Sequence, residues 1–124
     1  MKLFTGTING SHYTVVCDSV KTQNGFAHNV QIFRNDIPVS KARVNYWNRT
    51  WESFQFQSAI YSAISNWKDS IITDAKDRFK RENNLKRVSE NNTKYIAYRD
   101  ENFGKVLSEI DALKDFARTG KFEN

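Results

Sequence analysis

His12, Cys17 and His28 are the side chains in this sequence best suited to acid–base, nucleophilic or metal chemistry. His12 and Cys17 differ in strand parity, so we expect them to point to opposite faces of a strand. The three residues have no zinc-ligand spacing, and the sequence has no glycine-rich phosphate loop or nucleophile elbow. Asp18 and Asp36 flank predicted strands and would be ligands in a metal-dependent nuclease, but their spacing does not single out that chemistry. The pattern predicts a protein that is not an enzyme and uses no metal or cofactor.

Binding chemistry is more prominent, because one segment interleaves cations with aromatic rings. Between residues 41 and 57, the candidate partner-binding cations are Lys41, Arg43 and Arg49. The aromatic residues of the same segment are Tyr46, Trp47, Trp51, Phe54 and Phe56. Strand alternation puts Lys41, Arg43 and Asn45 on one face, where cations could bind phosphates while nearby rings stack on bases. The alternative is that the rings form the core of the domain.

A second basic segment lies between residues 76 and 87. Its candidate binding residues are Lys76, Lys80, Arg81, Lys86 and Arg87. Helical spacing places Lys76 and Lys80 in one line, while Phe79 belongs to the apolar stripe. This segment would contact phosphates or an acidic partner, and the alternative is that it is a solvated helix end.

The overall composition favours a polyanionic partner. The 124 residues include 19 Lys and Arg against 14 Asp and Glu, a net charge of +5. This length fits one domain, residues 1–124, and a single cysteine excludes an intrachain disulfide. No apolar run approaches the roughly 20 residues of a membrane-spanning helix, and the first residues do not form a signal peptide. We therefore expect a cytoplasmic protein that binds nucleic acid or an acidic protein surface.

The first 48 residues predict strands. Short runs rich in Thr, Val and aromatic residues cover residues 2–7, 12–17, 28–34 and 39–47. The turns between them are marked by Asn9-Gly10, Asn24-Gly25 and Asn35-Asp36, because Asn and Gly accept the positive φ of tight hairpins. This pattern predicts an antiparallel sheet of four strands.

Residues 50–120 predict helices. Thr50 is a possible cap for a long helix, whose apolar stripe from Phe56 to Phe79 recurs every three or four residues and whose end is marked by Asn83-Asn84. A shorter helix is predicted to begin near Asp100, and Thr119-Gly120 would end it. Strands first and helices after indicate an α+β fold, with the helices packed on the sheet.

The segment Asn48–Gln57, which reads Asn-Arg-Thr-Trp-Glu-Ser-Phe-Gln-Phe-Gln, resembles a box in small accessory proteins of Gram-positive phages and plasmids. Some small proteins of such mobile elements are anti-CRISPR inhibitors. The resemblance therefore implies a non-enzymatic phage protein that inhibits a host RNA-guided nuclease by binding the nuclease or its guide RNA or DNA.

Two alternatives remain open at the sequence level. The first is a direct DNA- or RNA-binding module that serves phage replication or transcription. The second is a homo-oligomeric protein whose aromatic residues form a subunit interface. Many inhibitors of this kind are acidic mimics of DNA, whereas this chain is basic. Only its last segment is acidic and could mimic DNA locally, through Asp100, Glu101, Glu109, Asp111 and Asp115.

Overall fold

A four-stranded sheet is followed by two helices in the computed structural model, which describes residues 2–47 and 57–119. The sheet is an antiparallel meander in the order β1-β2-β3-β4. Its strands are β1 (Lys2–Ile8), β2 (Ser11–Thr22), β3 (Gly25–Arg34) and β4 (Ile37–Trp47). The helices are α1 (Gln57–Glu82) and α2 (Thr93–Thr119). The predicted α+β fold is confirmed.

Tight hairpins set the register of the sheet. Asn9 and Gly10 have φ angles of 50° and 83°, and Asn35 and Asp36 have 51° and 65°. Two successive residues with positive φ form a turn whose twist matches that of the flanking strands. At the second turn, Thr22 pairs with Gly25, so the turn consists of residues 23 and 24 and the predicted turn residue Gly25 instead begins β3.

Alternation separates the two faces of the sheet as the sequence predicted. On β2, Tyr13, Val15 and Cys17 are buried, whereas His12 is exposed. On β3, buried side chains alternate with half-buried polar ones between His28 and Ile32, whereas Phe26 and Ala27 are both buried. The buried face packs against the helices, and the opposite face, here called the open face, carries the polar side chains.

Helix α1 lies beside β4 and contacts it through polar as well as apolar groups. The Ser40 hydroxyl donates a hydrogen bond to the Ala63 carbonyl at 2.7 Å, and the Asn66 amide donates to the Lys41 carbonyl at 3.3 Å. Ile60 and Trp67 are buried in the core beneath the sheet. These contacts fix the first half of α1 along the β4 side of the sheet.

The second half of α1 pairs with the first half of α2. There, Ala75 and Phe79 are buried with Tyr95 and Phe103 in a second apolar cluster. Helix residues make up this cluster, apart from Val88 in the connection between the helices. The two helices therefore form a hairpin with its own small core.

Helix α2 begins at Thr93, seven residues before the predicted start near Asp100. The side chain of Asn92 accepts a hydrogen bond from the Tyr95 backbone N–H at 3.1 Å, and its carbonyl accepts one from Ile96 at 2.9 Å. Asn92 is thus the N-cap, and the earlier start makes α2 27 residues long. The predicted cap at Thr50 lies outside the described residues.

Helix α1 ends where the asparagine pair predicted. Asn84 has a φ of 55°, and the Leu85 N–H donates to the Lys80 carbonyl at 2.8 Å. A left-handed residue followed by this backward hydrogen bond is a Schellman motif, which satisfies the last carbonyls of the helix. The motif turns the chain toward α2 and exposes the basic residues that surround it.

Candidate nucleic-acid interface

The open face of β4 carries the first set of predicted binding residues. Lys41, Arg43 and Asn45 are all exposed on this face, whereas Ala42 and Val44 are partly buried against the core. The Arg43 guanidinium donates to the Asn45 side-chain oxygen at 3.3 Å. Within residues 2–47 and 57–119, no acidic side chain lies at ion-pair distance from Lys41 or Arg43. Among the described residues, no ion pair therefore neutralises these two charges.

Polar side chains continue this surface across β3 and β2. The register pairs Arg43 with Asn29 and Asn29 with Asp18, so these three residues form one row across three strands. A neighbouring row joins Lys41 to Gln31 and ends on β2 at Val16, which is apolar. The two rows line a shallow depression of about 670 Å³, which α1 also lines.

Sequence reasoning did not single out Asn29, Gln31 or Asp18 as binding residues. The signal was present, because Asn29 and Gln31 alternate with the buried Val30 and therefore had to point away from the core. Their position beside Lys41 and Arg43 depends on the register of the hairpins, which strand parity alone does not supply.

The second set of predicted residues surrounds the end of α1. Lys76 forms an ion pair with Glu90, and the resulting hydrogen bond raises the pKa of Lys76. The Lys80 Nζ atom lies 3.5 Å from Asp77 Oδ1, which is an ion pair. These two cations are thus partly neutralised within the chain.

The remaining cations of this set are exposed at the tip of the helical hairpin. Arg81, Lys86 and Arg87 make no ion pair with any residue in the described parts of the chain. Arg81 and Lys86 line an open surface with Asp74 and Asp77, so the tip carries charges of both signs. Cations and carboxylates thus share this surface, as Lys41 and Arg43 share their depression with Asp18.

The two sets form separate surfaces. Asn66 contacts the backbone of Lys41, and Arg81 lies fifteen positions later on the same helix. At about 1.5 Å per residue, this places the hairpin tip roughly 20 Å from the β4 surface. Arg49 of the first set lies outside the described residues.

Glu109, which we expected in the acidic last segment, is fully buried. Its carboxylate accepts hydrogen bonds from the Tyr13 hydroxyl at 2.6 Å, the Arg34 guanidinium at 2.9 Å and the Ser11 hydroxyl at 3.1 Å. This corrects the inclusion of Glu109 among the acidic residues that could mimic DNA locally, because Glu109 lies in the core between α2 and the sheet.

The pKa of Glu109 reflects these contacts. Burial alone would raise the pKa of this carboxyl, but the hydrogen bonds from Arg34, Tyr13 and Ser11 and the charge of Arg34 together hold it below its ordinary value. Glu109 is therefore an ionised, structural carboxylate that receives donors from two strands.

His28 and Cys17, two of the candidate chemical residues, are buried. The Ser19 hydroxyl lies 2.5 Å from His28 Nδ1 and 3.8 Å from the Cys17 sulfur. Burial lowers the pKa of His28 and raises the pKa of Cys17, so both groups favour their neutral forms. In the described ranges, no group of three His, Cys, Asp or Glu side chains is placed to hold a metal ion.

Neither described helix is long and apolar enough to cross a membrane. The box that carries the resemblance to phage and plasmid proteins falls outside the described residues, apart from the backbone of Gln57. Comparisons with protein-family models, with curated proteins and with solved structures found no match.

Proposed function

We propose that this protein is a non-enzymatic nucleic-acid-binding protein and that the open face of β4 holds the phosphate backbone. One observation carries the proposal: Lys41 and Arg43 project from the same strand face without an acidic partner in the described residues. Residues two apart on a strand are separated by about 7 Å, so two phosphates of one strand can be contacted at once. Fixed cations in this arrangement bind by releasing the counterions of those phosphates.

The test compares the salt dependence of nucleic-acid binding in two variants of equal net charge. Lys41→Gln/Arg43→Gln removes the proposed site, and Lys105→Gln/Lys114→Gln removes two exposed lysines of α2. Fluorescence anisotropy with a labelled single strand across a salt series gives the affinity and its log–log slope. We expect the first variant to lower the slope by roughly 1.4, about 0.7 for each lost phosphate contact, and the control to lower it far less.

Equal decreases of affinity and salt slope in the two variants would contradict the proposal. They would mean that the net positive charge, rather than the β4 surface, attracts the nucleic acid. Both variants change exposed side chains away from the core, so circular dichroism and thermal unfolding should show the wild-type fold.

As the biological role, we propose inhibition of a host RNA-guided nuclease by a phage or plasmid accessory protein in the host cytoplasm. The support is the resemblance of Asn48–Gln57, and the proposed mechanism is that the β4 surface covers guide RNA or target DNA. Addition of the protein to a cleavage assay should then reduce cleavage, and Lys41→Gln/Arg43→Gln should restore it. If that variant still inhibits, the contact is made to the nuclease protein instead. If the wild-type protein does not inhibit, the role as a direct binding module in replication or transcription is favoured.

A further inference from the structure

The open face changes its charge from strand to strand. Its β4 side is basic through Lys41 and Arg43, its β3 part carries the amides of Asn29 and Gln31, and β2 contributes the carboxylate of Asp18. Neighbouring strands are about 4.8 Å apart, so the carboxylate lies roughly 10 Å from the β4 cations across the sheet. A ligand that lies across this face from β4 to β2 therefore contacts cations on β4, amides on β3 and a carboxylate on β2.

We infer that this face binds single-stranded nucleic acid in one orientation, with phosphates along β4 and base edges over Asn29 and Gln31. The inference rests on the proposed function and adds which nucleic acid is bound and how it lies. Asp18 is exposed and repels phosphates, which favours the backbone at the β4 side of the sheet. With the backbone there, bases that point across the sheet lie over β3.

The two amides suit the edges of bases. An Asn or Gln side chain offers both donors and an acceptor, as the edges of bases do. In the described residues, the side chains of Asn29 and Gln31 form no hydrogen bond with the protein, and both are half-buried on the floor of the depression. Both side-chain amides can therefore form hydrogen bonds with a ligand in the depression.

Size favours a single strand over a duplex. Four strands span about 14 Å between the outer strand axes, whereas the major groove of B-DNA is about 12 Å wide. The sheet cannot enter that groove, so duplex DNA could offer this face only its phosphates. The depression of about 670 Å³ is within the range of pockets that hold small ligands, which is sufficient for a nucleotide whose base is unstacked.

The test uses an abasic probe, which keeps the phosphates and removes the bases. A labelled DNA single strand of about six nucleotides is compared with its abasic counterpart and with the corresponding duplex. We expect the wild-type protein to bind the base-containing strand roughly tenfold more tightly than the abasic strand, since several hydrogen bonds to base edges are lost.

The variant Asn29→Ala/Gln31→Met should abolish this preference for bases without changing the salt slope, because amides displace no counterions. Its matched control is Asn91→Ala/Gln23→Met, which removes one Asn and one Gln amide at exposed positions outside the sheet face. This control should keep the preference for bases. Thermal unfolding shows whether both variants retain the fold.

The outcomes separate this inference from the proposed function. Equal binding of normal and abasic strands, or stronger binding of the duplex, would overturn the inference. If that binding still depended on Lys41 and Arg43, the proposed phosphate-binding function would stand. No dependence on those two cations would overturn the proposed function itself, and the binding would then be assigned to another basic surface, such as the hairpin tip with Arg81 and Lys86.

Discussion

Glu109 is the residue on which the position of α2 depends most directly. Its carboxylate joins α2 to Tyr13 and Ser11 of β2 and to Arg34 of β3. A buried charge is tolerated when its acceptor sites are filled, and here both oxygens receive donors. A second contact close by, between Asn9 and the Ser108 hydroxyl at 3.1 Å, ties the first hairpin to the same turn of α2.

We expect Glu109→Gln to destabilise the protein by about 2–4 kcal/mol, because it leaves the partly buried Arg34 guanidinium without its carboxylate. Urea unfolding followed by circular dichroism measures the loss. The matched control is Glu101→Gln on the exposed side of the same helix, which should change stability by less than about 0.5 kcal/mol. Similar small effects for both variants would show that the Glu109 network contributes little.

The lowered pKa of Glu109 also predicts a pH dependence. The ordinary value is 4.5, and the folded-state value lies below it. The unfolded chain therefore binds the proton more readily, so the stabilisation is complete above pH 4.5 and is lost as the pH falls through the folded-state pKa. Unfolding free energies measured from about pH 6 to about pH 3 should fall more steeply for the wild-type protein than for Glu109→Gln. Parallel curves would assign the acid sensitivity to other groups.

Sequence reasoning placed Glu109 with the acidic surface residues, although its spacing pointed inward. It follows Val106 by three residues and precedes Leu113 by four, which is the period of the buried stripe. Its partners lie 75 to 98 positions away in the chain. Helical spacing can show that such a carboxylate faces the core, but it cannot show which donors will satisfy it.

At the scale of elements, the predictions that succeeded were those that depend on neighbouring residues. Turns with Asn and Gly, strand alternation and the end of α1 at Asn83-Asn84 all follow from local backbone preferences. The early start of α2 also has a local signal, the cap Asn92, but the surrounding polar residues obscured it. Tyr95 belongs to the buried face of α2 because it packs against Phe79 of α1, a contact that local sequence does not reveal.

We expect Asn92→Ala to cost about 1 kcal/mol, because the Tyr95 backbone N–H loses its side-chain acceptor. Amide hydrogen exchange should accelerate at Tyr95 and Ile96, in the first turn of α2, and remain slow near Ile110. Asn91→Ala is the neighbouring control, since the Asn91 side chain makes no hydrogen bond within the described residues. Equal acceleration in both variants would argue against Asn92 as the cap.

At the scale of the whole molecule, one continuous helix separates two basic surfaces. The first half of α1 supports the sheet, and its second half carries Arg81 to the hairpin tip. The sequence identified the cations of both surfaces but could not give their separation, because the point at which α1 leaves the sheet depends on tertiary contacts such as that of Asn66 with β4. A ligand shorter than about 20 Å on one surface cannot reach the other.

This separation leads to a prediction about the length of the bound strand. The tip variant Arg81→Gln/Lys86→Gln/Arg87→Gln should leave the affinity for about three nucleotides nearly unchanged, because at about 7 Å between phosphates that strand spans about 14 Å and contacts the β4 surface alone. A strand of roughly 30 nucleotides can span the 20 Å to the tip, so its affinity should fall several-fold and its salt slope should decrease.

Lys41→Gln/Arg43→Gln serves as the comparison, because it should weaken the binding of both lengths. Combining the two variants should give additive losses of binding free energy for the long strand, as expected for sites without shared contacts. A tip variant that weakens the short and long strands equally would show that the tip itself is the primary site. The helical hairpin would then bind the strand first, and the sheet would contact it second.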